Sequence, residues 1–203
     1  MQVISTFNRL LSLLEPYQRG TGLPPPAKEV DLSRLQASLG RQLPPDLVAA
    51  YRICDGGPNV PGNPLDESLF YSYRFLSVGQ MLSLNSGLEN TRRSEGPPFP
   101  REPLPSFPPG AVQDLLTSSD WVAFADDRAG GYLAIDYLPG PSGTVGQVIN
   151  FGRDDAAHFQ LGTSFENFLE RALYDYEEKR FHYFFGETMM FVDRLLEQTR
   201  QRK

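Results

Sequence analysis

Residues 121–152 read WVAFADDRAGGYLAIDYLPGPSGTVGQVINFG. WVAFA is almost wholly apolar and β-prone, the pattern of a strand covered on both faces. DDRAGG turns the chain, and YLAIDY then alternates, with Leu133, Ile135 and Tyr137 on one side. PGPSG turns it again and VGQVINF runs back. Three short strands joined by two short turns predict an antiparallel meander. Asp126 and Asp127 fall in the first turn. Neighbouring strand residues point to opposite faces, and aspartate favours turns because its carboxylate accepts from nearby backbone N–H groups. The pair therefore reads as turn chemistry rather than as a general acid and base. Asp136 lies opposite Leu133, Ile135 and Tyr137, so its carboxylate is expected to be solvated or paired. A solvent-facing strand position is the plain expectation, and an acidic face on the sheet is the functional one.

Working outward, His158 to Leu161 predicts a further short strand, and Thr163 with Glu166 a capping box. Phe165, Phe168, Leu169, Leu173 and Tyr176 follow on one helical stripe. The stretch 177–203 is expected to be a helical extension broken near Gly186, with Met190, Leu195 and Leu196 placed to pack on the domain or on a second copy. Upstream, Ile4, Phe7, Leu11 and Leu14 give residues 3–14 helical spacing, so the N-terminal segment 1–20 is expected to carry a helix ended by Pro16 and TGLPPPAKE. Asp31 is the expected N-cap of a helix striped by Leu32, Leu35 and Leu39 and stopped by Gly40. LPPDLVAAYRICDGG opens with proline at a helical N-terminus and leaves through Gly56-Gly57. SLFYSYRFLS (residues 68–77) reads as one strand. Ser77 with Gln80 is a capping box for a helix carrying Met81, Leu84 and Leu88. Residues 94–110 contain seven prolines and predict an irregular surface insert. Helices, a strand, a helix, a meander and closing helices define an α+β fold, a mostly antiparallel sheet packed against helices.

The chain has 203 residues and a formal charge of −6, with a pI near 5.0. That balance speaks against nucleic acid, which demands clustered Lys and Arg; the basic RQRK at 200–203 reads as a solvated tail. A lone cysteine, Cys54, forms no internal disulfide and fits a reducing compartment. The opening MQVISTFNRLLSLLEPYQR is broken by Asn8, Arg9, Ser12 and Glu15, unlike a signal peptide, and no run of ~18 apolar residues suggests a membrane span. A cytoplasmic protein is the expectation. His158 and His182 have no partner at ligand spacing, and HExxH and CxxC are absent, so no metal is expected and both histidines read as surface or interface residues. Asp55 beside Cys54 would oppose a thiolate, so that cysteine reads as structural. GPSGT (140–144) lacks the GxSxG spacing, and neither GxxxxGK[ST] nor GxGxxG occurs, so no nucleotide or other cofactor is expected.

Two stretches together carry a resemblance. The first is VDLSRLQASLGRQLPPDLVAAYRICDGG (30–57). The second is residues 121–152, followed by GTSFENFLERAL (162–173). Their order of Trp, apolar strand, Asp, Gly-Gly, strand ending in Asp, Gly-x-Val strand and Ser-Phe-x-x-Phe-Leu resembles the SUKH superfamily, that of yeast cell-wall assembly regulators and bacterial toxin-immunity proteins. The resemblance spans about residues 30–173 and implies a domain over 30–176. It implies an α+β domain without catalytic activity that works by binding a protein. A cognate toxin domain is the first partner expected, a regulatory scaffold role the alternative, and a carboxylate enzyme a remote third. Carried over by position, Trp121, Gly130, Gly131, Gly146 and Phe165 match fold-keeping roles, while Asp126 and Asp136 match positions that face a partner. Asp55, Asp127 and Arg128 join them as expected protein-binding residues. An acidic surface would speed encounter with a basic nuclease toxin.

Overall fold

A computed structural model describes residues 2–14, 22–58, 68–94, 103–152 and 155–178. The expected meander is present: β4 (Trp121–Asp126), β5 (Gly131–Asp136) and β6 (Gln147–Gly152) pair antiparallel in that order. β7 (His158–Gly162) adds antiparallel to β6, and the two-residue β3 (Ser106–Phe107) closes that edge in parallel. On the other side lie β2 (Tyr73–Phe75) and β1 (Ser68–Phe70), giving the order β1-β2-β4-β5-β6-β7-β3.

Both faces of the sheet are covered, as the apolar WVAFA requires. Val122, Phe124, Leu133 and Ile135 face the larger core, which includes Phe165 and Phe168 of α5 (Phe165–Glu177), Leu47 and Tyr51 of α3 (Pro45–Tyr51), and Phe7 of α1 (Gln2–Leu14). Phe165 sits edge-on to both Phe70 and Phe124, centroids 6.1 and 5.4 Å away. Trp121, Ala123, Ala134 and Ile149 face the other way, toward Leu84 and Leu88 of α4 (Val78–Ser94) and toward Ala111 and Val112 of the preceding loop. α2 (Glu29–Leu39) ends at Gly40 in the left-handed conformation, as its sequence requires.

Several local expectations change. SLFYSYRFLS is a hairpin, β1 turning into β2 at Tyr71, whose φ is +58°. No Gly, Asn or Asp announces that turn; α5 imposes it. Tyr71 N donates to Tyr176 Oη at 2.8 Å, its own hydroxyl donates to Asp175 at 2.9 Å, and the two tyrosine rings stack. The cap of α5 is Ser164, not Thr163. The Ser164 hydroxyl accepts from Asn167 N at 3.1 Å, and Asn167 reaches back to Thr163 N, so the box is shifted by one residue and built with Asn instead of Glu166. Asp31 lies inside the first turn of α2, which starts at Glu29, and is not its N-cap. His158 is fully buried rather than at the surface. Its Nε2 donates to Leu115 O at 2.7 Å, and Trp121 packs against its ring. The expected capping box of Ser77 and Gln80 forms, with both reciprocal contacts at 2.8 and 3.2 Å. Of the proline-rich insert, 95–102 lie outside the described residues, as do Pro16, His182, Gly186, Met190, Leu195, Leu196 and the RQRK tail.

Candidate functional site

The expected protein-binding residues separate into two groups. Asp55 leaves α3 and turns back on the start of α4, where its Oδ1 accepts from Val78 N at 2.7 Å. A carboxylate is favoured there by the unsatisfied N–H groups and the positive end of the helix dipole. Gly56 makes the approach possible. Its φ is +91°, and a Cβ at that position would stand 2.7 Å from Ser77 N. Gly57 N then donates to Phe75 O at 2.8 Å, stitching the α3 exit to β2. Between these elements lies a polar cleft of about 190 Å³, lined by Pro24, Asp55, Gly57, Pro58, Arg74, Phe75, Ser77 and Gln80.

Arg74, which the sequence reading passed over, connects this cleft to the meander. Its guanidinium grips Asp126 with two hydrogen bonds, 3.0 and 2.9 Å, across the β2–β4 register. Both side chains are mostly covered, 24% and 14% exposed, so the pair is stronger than an open surface bridge. The only hint was a single arginine between aromatics in a strand-like run. Asp126→Asn is expected to lower stability by about 1–2 kcal/mol, because it leaves the half-buried guanidinium short of one charge-assisted bond. A urea denaturation series with an unchanged m-value would check it.

Asp127 holds its own hairpin. Its Oδ1 accepts from Ala129 N at 2.7 Å and Gly131 N at 2.8 Å, the turn role read from sequence. A Cβ at position 131 would meet that carboxylate, so a glycine follows. Arg128 is exposed at the tip with φ +63°, beside Gly130. Asp55, Arg74, Asp126, Asp127 and Arg128 thus form one corner of the domain. Asp136 is elsewhere. It pairs with Trp121 at the opposite end of β5, four residues or about 13 Å along the strand from the Asp126 partner Tyr132.

Asp136 is also not solvent-facing: its relative exposure is 0%. It lies beneath the joined 110–113 and 138–147 loops. Oδ1 accepts from Leu138 N and Oδ2 from Gln147 Nε2, each at 2.9 Å. Burial pushes its pKa above the ordinary 3.8, and the bonds from Gln147 and Leu138 pull against that rise. The Trp121 indole N–H is near enough to favour the charged carboxylate but makes no hydrogen bond of standard geometry. This residue organises the interior and presents no surface to a partner. Gly146, at the foot of the same loop, donates its N–H to Asp136 O at 2.7 Å. Gln147 was missed from sequence, because an amide inside VGQVINF gives no sign of burial.

The acids therefore do not converge. Asp126 is ion-paired, Asp127 caps a turn and Asp136 is buried at the far end of the strand. Cys54 is buried, and burial foremost, with Asp55 second, pushes its thiol up to about 12; a thiolate nucleophile is not favoured there. Among the described residues no group of three or more His, Cys, Asp or Glu is placed to hold a metal ion. Among them, too, no helix is long and apolar enough to cross a membrane.

A helix-flanked, mostly antiparallel sheet with a polar corner cleft of paired charges defines an α+β domain of the kind the residue motifs resemble. The chain belongs to the SMI1 / KNR4 family (SUKH-1), whose model matches residues 26–171. It is similar to the cell wall assembly regulator SMI1 of Saccharomyces cerevisiae, 24% identical over 171 residues covering 71% of this chain and 34% of that protein. It is also similar to the cell wall biosynthesis/cell cycle regulator smi1 of Schizosaccharomyces pombe, 46% identical over 72 residues, 36% of this chain and 14% of that one. A glucan synthesis regulatory protein of Neurospora crassa is 36% identical over 75 residues, 37% of this chain and 14% of the relative. The chain thus spans about a third or less of the length of these relatives, which are named as regulators and not as enzymes.

Proposed function

We propose that this chain is a regulatory interaction module that acts by binding other proteins. The observation that carries the reading is the state of its charges at the cleft. Asp126 and Arg74 neutralise one another in fixed geometry and Asp55 is tied to a helix end, an arrangement suited to presenting a rigid surface and not to moving protons. The names of the relatives support the regulatory form of that reading, and regulation of wall or glucan assembly is the task it assigns. The corner formed by Asp55, Arg74, Asp127 and Arg128 is the docking surface.

Toxin neutralisation is the second reading. The net charge of −6 favours a basic partner such as a nuclease toxin. Disrupting the gene in its own host separates the two. The regulatory reading expects altered wall glucan and altered growth in a wall-digesting enzyme, restored by the unaltered chain and not by one carrying Asp55→Lys with Arg128→Glu. A normal wall, with death only when a neighbouring toxin gene is expressed, would favour the second reading instead.

A further inference from the structure

α1 lies outside the segment the family model matches, residues 26–171, yet α3, Phe75 and the first half of α5, which it covers, belong to that segment. Val3, Phe7, Leu10 and Leu11 form its buried stripe. The spacing i, i+4, i+7, i+8 is that of an amphipathic helix laid into a groove. The groove is walled by α3 and α5, and at its floor the Phe7 ring meets Phe75 edge-on, centroids 5.9 Å apart. α1 runs parallel to α5, since Gln2 reaches Glu170 at 2.6 Å and Arg9 reaches Glu177 at 3.0 Å. Both polar contacts are exposed, hence weak and screened by salt.

The charges of the two helices are unequal. Between 166 and 178, α5 and its cap carry Glu166, Glu170, Asp175, Glu177 and Glu178 against Arg171 alone. Asp175 is engaged by the Tyr71 hydroxyl. α1 offers one cation, Arg9. A 13-residue helix is also too short to persist by itself in water, so its place depends on the apolar stripe.

We propose that the α3–α5 groove is a docking site for a basic amphipathic helix of a partner protein, and that α1 is its resident competitor. The occupant needs the same apolar spacing around a central aromatic, with cations at the places of Gln2 and Arg9, opposite Glu170 and Glu177. Its extra positive charge gives it the advantage over α1. That the occupant is a regulated partner rests on the interaction-module reading; the existence of an exchangeable groove does not.

Hydrogen exchange on the unaltered full chain tests displacement first. The amides of α1 are expected to exchange as one block at least about 100-fold faster than those of Leu133–Ile135 in β5. Exchange of α1 at the β5 rate, through global unfolding alone, overturns the proposal. In a second arm, full chain carrying Phe7→Ala and Leu10→Ala is titrated with fluorescein-labelled peptide of residues 2–14. Saturable one-to-one binding, at least tenfold tighter than to the unaltered chain, is expected. A Gln2→Lys peptide should bind about two- to fivefold tighter still at low salt, the gain vanishing near 1 M salt. Equal peptide affinity for the variant and the unaltered chain overturns the proposal, and if the variant fails to fold the exchange arm decides it. None of these readouts uses the wall phenotype, so a normal wall in the gene disruption and a static α1 are separate failures.

Discussion

Replacing Gln147 with leucine should destabilise the protein by about 3–5 kcal/mol, seen as a melting temperature lowered by roughly 10 °C. The side chain is fully buried and its carboxamide uses its whole bonding capacity. Nε2 donates to Asp136 Oδ2 at 2.9 Å and to Ala111 O at 2.8 Å, while Oε1 accepts from Thr144 N at 2.9 Å and Gln160 Nε2 at 2.6 Å. Leucine fills nearly the same volume, so the loss is not one of packing. What remains is a buried carboxylate stripped of a donor, together with the Thr144 N–H and the Gln160 carboxamide stripped of their acceptor, while Ala111 O keeps the Gly140 N–H, and each buried group so stripped costs about 1–3 kcal/mol. A loss below about 1 kcal/mol would show that the loops open to water and that Asp136 is not held as described.

The same variant carries a pH signature. Asp136 has a folded pKa above its unfolded value of 3.8, chiefly from burial. A raised carboxyl pKa means the folded state prefers the proton. The cost is therefore absent below about pH 4, grows as pH climbs through the folded pKa and is constant above it. Gln147 opposes that rise, so removing it pushes the carboxyl further up and enlarges the cost at neutral pH. The gap in melting temperature between variant and parent should be wider at pH 7 than at pH 4. A gap of the same size at both values would mean that the carboxylate plays no part in it.

The meander was legible because its signals are local: alternation in YLAIDY, an unbroken apolar run in WVAFA and turn residues between them. The same locality explains Gly40, Pro45 and the Ser77–Gln80 box. Features set by tertiary contact left no local mark. Tyr71 turns because α5 supplies Tyr176 and Asp175 from more than a hundred residues away. Asn85 on α4 is another instance, its carboxamide bonding both the N–H and the C=O of Ala123 at 2.9 Å, where β2 no longer runs beside β4. At the site, Asp127 holds the turn its sequence predicts, since an acid near glycines marks one, whereas Asp126, expected in the same turn, closes β4 and pairs with Arg74. Arg74 was not found from sequence, since its meaning lies in a partner one strand over. Asp136 was placed on the correct face of its strand, but the loop that covers that face arrives from residues 110–113, which a reading of period 2 does not foresee.

Gly56→Ala is expected to damage fold and site together, with a loss of about 3 kcal/mol or more and an opened cleft. Two effects add. The backbone at φ +91° strains any residue with a Cβ, and that Cβ would lie 2.7 Å from Ser77 N, 3.0 Å from Ser77 Cα and 3.1 Å from Leu76 C, none of which is a flexible chain end. Relief requires the α3 exit to move away from the β2–α4 junction. That motion breaks the Gly57 N–H bond to Phe75 O and draws Asp55 off Val78 N, so the wall of the cleft and the cap of α4 fail in one step. Asp55→Asn provides the contrast. It keeps an oxygen for Val78 N and removes only the charge, so its melting temperature should fall by a few degrees at most while partner binding weakens. Gly56→Ala melting like the parent would contradict the close approach itself. Asp55→Asn binding like the parent would leave the approach intact and detach the cleft's charge from recognition, because that variant keeps the bond to Val78 N and removes only the charge.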